Sequence, residues 1–178
     1  MRKFLIASAA AIAAMIGLAS PAMAAGGGDV KLQTGEWSFT GPFGYFDKAA
    51  LQRGFQVYRE VCAGCHGLDY IAFRNLADLG YNEAEIKAIA ADYEVMDGPD
   101  DEGEMFMRPA RPADIIPNPY RNDNEARASN NGAMPPDLSL IAKARANGPD
   151  YLYSLLLGYV DAPADKDVPD GMHYNNAY

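Results

Sequence analysis

The chain predicts a mainly helical fold with long irregular loops, on three observations. Apolar residues recur at helical spacing in several short segments. Alternating runs of the kind that form half-buried strands are scarce. Gly, Pro, Asp and Asn collect in the stretches between, with 17 glycines and 12 prolines in 178 residues.

In chain order, Met1-Arg2-Lys3 is a short positive segment, Phe4 to Leu18 are apolar apart from Ser8, and Ala22-Met23-Ala24 is an A-x-A cleavage site. Residues 1–24 therefore read as a secretory signal peptide, because the apolar run is too short for a bilayer. Residues 25–178 then form one domain. Residues 26–45 hold many Gly, Pro and aromatic residues and read as an irregular arm. A helix is predicted over Ala49 to Val61, where Leu51, Phe55 and Tyr58 fall at i, i+4 and i+7 and Val57 and Val61 widen the stripe. Gly54 in its middle costs about 1 kcal/mol relative to Ala, which points to a backbone passing close by.

Asn82 with Glu85 three residues on is a capping pair, and the helix it opens is predicted to reach Val95. Residues 97–121, rich in Pro, Gly and acid, read as a long loop. A short helix is predicted over Glu125 to Ser129. Asp137 is positioned to cap a helix over Leu138 to Ala146, and Asp150 another over Tyr151 to Tyr159. Residues 161–178 return to Pro, Asp and Asn.

Cys62-Ala63-Gly64-Cys65-His66 carries the chemistry. C-x-x-C-H is the attachment signature of a c-type haem. Two thiols at this spacing reach the vinyl groups on one porphyrin edge and form thioethers, and the adjacent histidine supplies an axial nitrogen to the iron. Three alternatives use fewer of these residues. A thiol redox pair normally sits in a βαβ context, and the flanks here read as helix. Tetrahedral zinc needs four ligands, yet the chain has two Cys and two His, the second at His173. A disulfide across a two-residue gap closes a strained loop. Export agrees with haem, since thioethers remove two thiols that an oxidising compartment would otherwise pair.

The formal net charge is −9, and loss of Arg2 and Lys3 with the leader takes it to −11. Such a balance argues against nucleic acid and anionic membrane surfaces as partners. Asp92, Glu94, Asp97, Asp100, Asp101, Glu102 and Glu104 cluster in a stretch with no base from Ala88 to Met107. They read either as a solvated loop or as a surface that steers a basic electron carrier.

Four stretches carry a resemblance: "RGFQVYREVCAGCHGLDYIAFRNL", "GPDDEGEMFMRPARPAD", "ARASNNGAMPPDLSLIAKARANGPDYLYSLLLGY" and "GMHYNNAY". From Trp37 to Tyr178 the chain resembles the cytochrome c1 family, haem subunits of the cytochrome bc1 complex, in its alphaproteobacterial form. The resemblance implies a c-type cytochrome fold with one covalent haem c on Cys62 and Cys65 and with His66 as the fifth ligand. Asn130, Ala133, Pro135 and Pro136 match a segment that lines the haem. Ile141 and Leu156 match apolar residues of its pocket, and Arg145 and Tyr151 match residues that bind a propionate. It further implies cytochrome b, the Rieske iron–sulfur protein and a basic cytochrome c as partners, at the periplasmic face of a bacterial inner membrane.

The family takes its sixth ligand, a methionine, from sequence that would follow Tyr178, and its C-terminal helix and membrane anchor come after that. The expectation is therefore a C-terminally incomplete chain, lacking that helix and anchor and attached to the membrane only through them. Met134, in Met134-Pro135-Pro136, resembles the methionine loop of small soluble cytochromes. It supports a second expectation, a free-standing soluble carrier with Met134 as sixth ligand. The resemblance instead puts Met134 on the His66 side, where a proline carbonyl accepts a hydrogen bond from the axial histidine.

Overall fold

The computed structural model describes residues 32–177. The signal-peptide segment and the start of the arm lie outside the described residues. Helix α1 spans Lys48–Val57. Its cap is Asp47, whose carboxylate accepts from Ala49 N at 2.9 Å and Ala50 N at 3.2 Å. Phe55 is buried and Leu51 and Tyr58 are half-buried, as their spacing predicts, but Val57 and Val61 face outward, so the buried stripe is narrower. At Tyr58–Cys62 the helix widens into a π-helical turn, closed by Ala63 N on the Tyr58 carbonyl at 2.8 Å. Such turns are frequent at functional sites, and this one ends on Cys62, three residues before Cys65. Among the described residues nothing approaches Gly54, so the close backbone expected there is not found.

A 3₁₀ helix over Phe73–Leu79 follows, which the apolar periodicity did not reveal. Gly80 ends it in the left-handed region at φ 98°. Helix α2, Glu83–Ala91, begins with the predicted capping box: Asn82 Oδ1 accepts from Glu85 N at 3.0 Å, and Glu85 Oε2 from Asn82 N at 2.8 Å. It ends four residues before Val95, because the chain turns there into strand β1, Glu94–Asp97. This strand pairs antiparallel with β2, Phe106–Pro109, in a register that sets Glu94 opposite Pro109 and Asp97 opposite Phe106. The fold is thus mixed rather than mainly helical, and the acidic stretch, expected as a loop, forms a hairpin.

Helix α3, Asp123–Ser129, starts two residues before its predicted position, on an Asn122 cap to Glu125 N at 3.0 Å. Helix α4 is a single turn, Ile141–Ala144, shorter than the predicted Leu138 to Ala146. Helix α5, Gly148–Leu157, opens behind Asn147 at φ 64° instead of behind Asp150.

One apolar cluster organises the first part of the chain. Phe55, Phe73, Leu76, Ile86, Ala90, Ala110 and Ile116 are buried together, with Tyr58, Leu68, Tyr81 and Tyr93 packed on them. Phe73 is 0% exposed. The arm is held to α5: Trp37 Nε1 and Gly35 N donate to Asp150 Oδ1 at 2.6 and 3.0 Å, and Gln33 N donates to Ser154 Oγ at 2.7 Å. These bonds depress the Asp150 carboxyl, the Gly35 amide most and the Trp37 indole next. They also explain why Asp150 caps the arm rather than its own helix.

Candidate haem site

The π-helical turn delivers Cys62 half-buried and Cys65 exposed, and neither is bonded to another cysteine. Cys65 N and His66 N both donate to the Cys62 carbonyl, at 3.0 and 2.9 Å, so the motif is one tight turn. Tyr58 holds its end: the phenol donates to the His66 carbonyl at 3.0 Å. Burial, with nearby acids adding, pushes the Tyr58 hydroxyl up to about 12, so it remains a donor at any ordinary pH.

His66 Nδ1 lies 2.8 Å from the Pro136 carbonyl oxygen. A carbonyl can only accept, so Nδ1 carries the proton and Nε2 keeps its lone pair. A metal-ligating histidine needs that arrangement, in which the second nitrogen is fixed by an acceptor. Pro136 has no N–H, and Pro135 before it also has a fixed φ, so the carbonyl is presented by a stiff segment.

The segment that follows His66 lies along the segment that follows Pro136. Leu138 N donates to the Gly67 carbonyl at 3.0 Å, Asp69 N to Asp137 Oδ2 at 2.7 Å, and Tyr70 N to Ser139 Oγ at 3.1 Å. Asn118 Nδ2 bonds Asp69 Oδ1 from the far side. A Cβ on Gly67 would meet the Asn118 side-chain oxygen, so a larger residue here would push that side chain off Asp69.

Cys65, Met134 and Pro135 line one cavity of about 220 Å³ with Asn118 and Tyr120. Asn130 is part of its frame, donating to Tyr120 Oη at 3.0 Å and to the Ala126 carbonyl at 2.7 Å. Ala133 follows in a turn closed on the Asn130 carbonyl at 2.9 Å. Ile141 and Arg145 begin and end the α4 turn, and Tyr151 and Leu156 lie on α5, which packs against it. Arg145 makes none of the ion pairs found among the described residues. His173 lines a different, open groove with Tyr159, Val160, Met172 and Tyr174.

Helix α5 buries its polar Ser154 to 1% exposure and leaves Leu156 71% exposed. Leu140, Leu157 and Val61 are also exposed. Apolar side chains presented this way suit a flat apolar ligand. Arg145, in no ion pair among the described residues, suits a carboxylate. The donor set, two free thiols and an imidazole with its Nε2 lone pair available, fits a covalent haem. Zinc lacks ligands, since no group of three or more His, Cys, Asp or Glu among the described residues could hold a metal ion.

The family model for the Cytochrome C1 family matches residues 37–178. The chain belongs to the cytochrome c1 family. It is 55% identical to a protein named cytochrome c1 from Rhodospirillum rubrum, over 78% of this chain and 51% of that protein. It is 52% identical to cytochrome c1 1, heme protein, mitochondrial, of Arabidopsis thaliana, over 78% of this chain and 45% of that protein. It is 55% identical to the cytochrome b-c1 complex catalytic subunit, mitochondrial, of Candida albicans, over 78% and 49%. The chain thus spans about half the length of these relatives.

The acidic stretch of this cytochrome c1 family member is only partly free. Asp92 pairs with Arg59 at 3.1 Å, and Asp97 pairs with Arg108. Arg108 also holds Asp114 at 2.6 Å, and this bond keeps the Asp114 carboxyl at about 2. Asp100 closes the hairpin loop, accepting from Glu102 N and Glu104 N at 2.9 Å each. Glu94, Asp101, Glu102 and Glu104 remain exposed without an ion pair among the described residues. Sequence reasoning missed Tyr58, Asp69, Asn118 and Ser139 as supports of the histidine, and it assigned Asp137 to a cap. Tyr58, Asp69 and Ser139 are signalled only by proximity to the two motifs, and Asn118 by nothing local.

Proposed function

We propose that this chain holds one haem c on Cys62 and Cys65 with His66 as axial ligand. It would serve as the electron relay between the Rieske iron–sulfur protein and a basic cytochrome c in a cytochrome bc1 complex containing cytochrome b. The observation that carries this reading is the His66 Nδ1–H bond to Pro136, which leaves the Nε2 lone pair available one residue after the second cysteine. When bound, the haem supplies a one-electron redox couple. The chain's residues hold it and set its surroundings. Cys62 and Cys65 fix its edge. Asn130, Ala133, Pro135, Pro136, Ile141 and Leu156 line it, and Arg145 and Tyr151 bind a propionate. The names of the relatives support a haem protein of the bc1 complex.

In this reading Met134 is a wall residue and not the sixth ligand. It lies two residues from Pro136, whose carbonyl meets the ring edge opposite the iron-binding nitrogen. The Met1–Ala24 leader supports export to the periplasmic face of an inner membrane. Among the described residues no helix is long and apolar enough to cross a membrane.

A pyridine haemochrome assay and intact mass on exported protein test the reading. One haem per chain, bound through both cysteines, is expected. His66→Ala should abolish the spectroscopic signature of histidine ligation, and Met134→Leu should keep the parent's ligation state. A parent-like spectrum in His66→Ala would remove the axial assignment. A changed ligation state in Met134→Leu would favour the small soluble carrier.

A further inference from the structure

Asp137 sits between the histidine's acceptor and the loop that carries the histidine. Its two carboxylate oxygens have different work: Oδ1 accepts from Ser139 N at 2.9 Å and Oδ2 from Asp69 N at 2.7 Å. The first bond folds the chain just after Pro136. The second ties that fold to the third residue after His66. The adjoining bonds, Leu138 N to Gly67 O and Tyr70 N to Ser139 Oγ, complete a short zipper beside the His66–Pro136 contact. Of these groups, Asp137 alone bonds to both segments through its side chain, and its carboxylate satisfies two amide donors at once. Charge-assisted bonds to backbone N–H groups are the stronger kind.

We propose that Asp137 is a positioning residue for His66: its carboxylate holds Pro136 against the Nδ1–H and thereby sets the donor strength of the axial nitrogen. This rests on the reading of His66 as the axial ligand. A firm hydrogen bond at Nδ1 raises the basicity of the other nitrogen, which favours the oxidised metal and lowers the reduction potential. A slack one does the reverse. Asn at this position keeps the size and one acceptor oxygen but turns an NH₂ toward the second amide donor, so it restores only part of the effect.

The test compares haem-bearing parent, Asp137→Ala and Asp137→Asn by the solvent exchange of the His66 Hδ1 proton and by redox titration. In Asp137→Ala, Hδ1 exchange should quicken about tenfold, the factor given by one lost hydrogen bond of ordinary net strength, and the potential should rise. Asp137→Asn should fall between it and the parent on both readouts. Ser139→Ala removes the bond to Tyr70 alone and should leave both near the parent values. If Asp137→Ala fails to mature, Asp137→Asn is decisive by itself. Parent-like exchange and potential in the variants, with only the melting temperature lowered, would reduce Asp137 to a loop brace and overturn the proposal. A parent chain that carries no haem would instead overturn the reading of the site.

Discussion

Residues 47–116 bury Phe55, Phe73, Leu76 and Ile86 against one another, whereas residues 122–177 bury only small side chains, Ala126, Ser154, Gly158 and Ala177. The second region does not lack large apolar residues. It exposes Leu140, Leu156, Leu157, Tyr159 and Met172. The first region is therefore organised by its own side chains, and the second by hydrogen bonds to the arm, to the His66 loop and within its own tail. Asn175 Nδ2 to the Leu155 carbonyl at 2.8 Å and Asn176 N to the Gly158 carbonyl at 2.9 Å are examples of the last kind. In the function proposed above, a haem between these regions supplies the apolar partner that the second one lacks.

The largest expected effect breaks the first region. Phe73→Ala should cost about 3–5 kcal/mol in chemical denaturation, whether or not haem is attached, because it opens a cavity in a closed core. Leu156→Ala is the sharper contrast. In haem-free protein it should stay within about 0.5 kcal/mol of the parent, as exposed substitutions do, while in haem-bearing protein the loss should be plainly larger. Equal losses in both forms would erase the distinction between the regions.

Acid should loosen the first region through Asp114. Its folded carboxyl titrates at about 2 against an ordinary 3.8, so the unfolded chain binds the proton more readily. The stability it contributes is complete above pH 3.8 and is lost as pH falls through about 2. Arg108→Met should flatten that part of an acid-unfolding curve, followed by circular dichroism. An unchanged curve would mean that Arg108 is not what depresses Asp114.

The smallest effect is kinetic. Asp101 and Glu102 to Lys should slow association with a basic cytochrome c with little change in its dissociation. Raising salt from 0.1 to 1 M should do the same to the parent, as the Debye length falls from about 10 Å to about 3 Å. Asp100 is a poor choice for this test because its carboxylate closes the hairpin loop. An on-rate indifferent to both would return the exposed acids to plain solvation.

Much of the site could be read in the sequence because its chemistry is local. Cys62, Cys65 and His66 lie in one turn, and Asn82 with Glu85 forms its capping box within four residues. The hairpin could not be read, because its strands are four residues each and the acids of β1 hide the alternation that half-buries Val95 and Asp97. Asp137 and Asp150 read as helix caps because both precede apolar runs. Asp137 does accept locally from Ser139 N, but its other oxygen bonds to Asp69, and Asp150 bonds to Gly35 and Trp37, partners 68 to 115 residues away that no local pattern reports. The exposure of Leu156 was likewise invisible, since helical periodicity marks an apolar stripe but not what covers it.

Amide hydrogen exchange tests the division of the molecule most directly, comparing haem-bearing parent with the haem-free Cys62→Ser, Cys65→Ser protein. Haem should add protection at residues 62–70 and 130–157 and leave Phe73, Leu76 and Ala90 nearly unchanged. Protection gained equally at Phe73 and Leu76, or no gain around Leu156, would contradict that division.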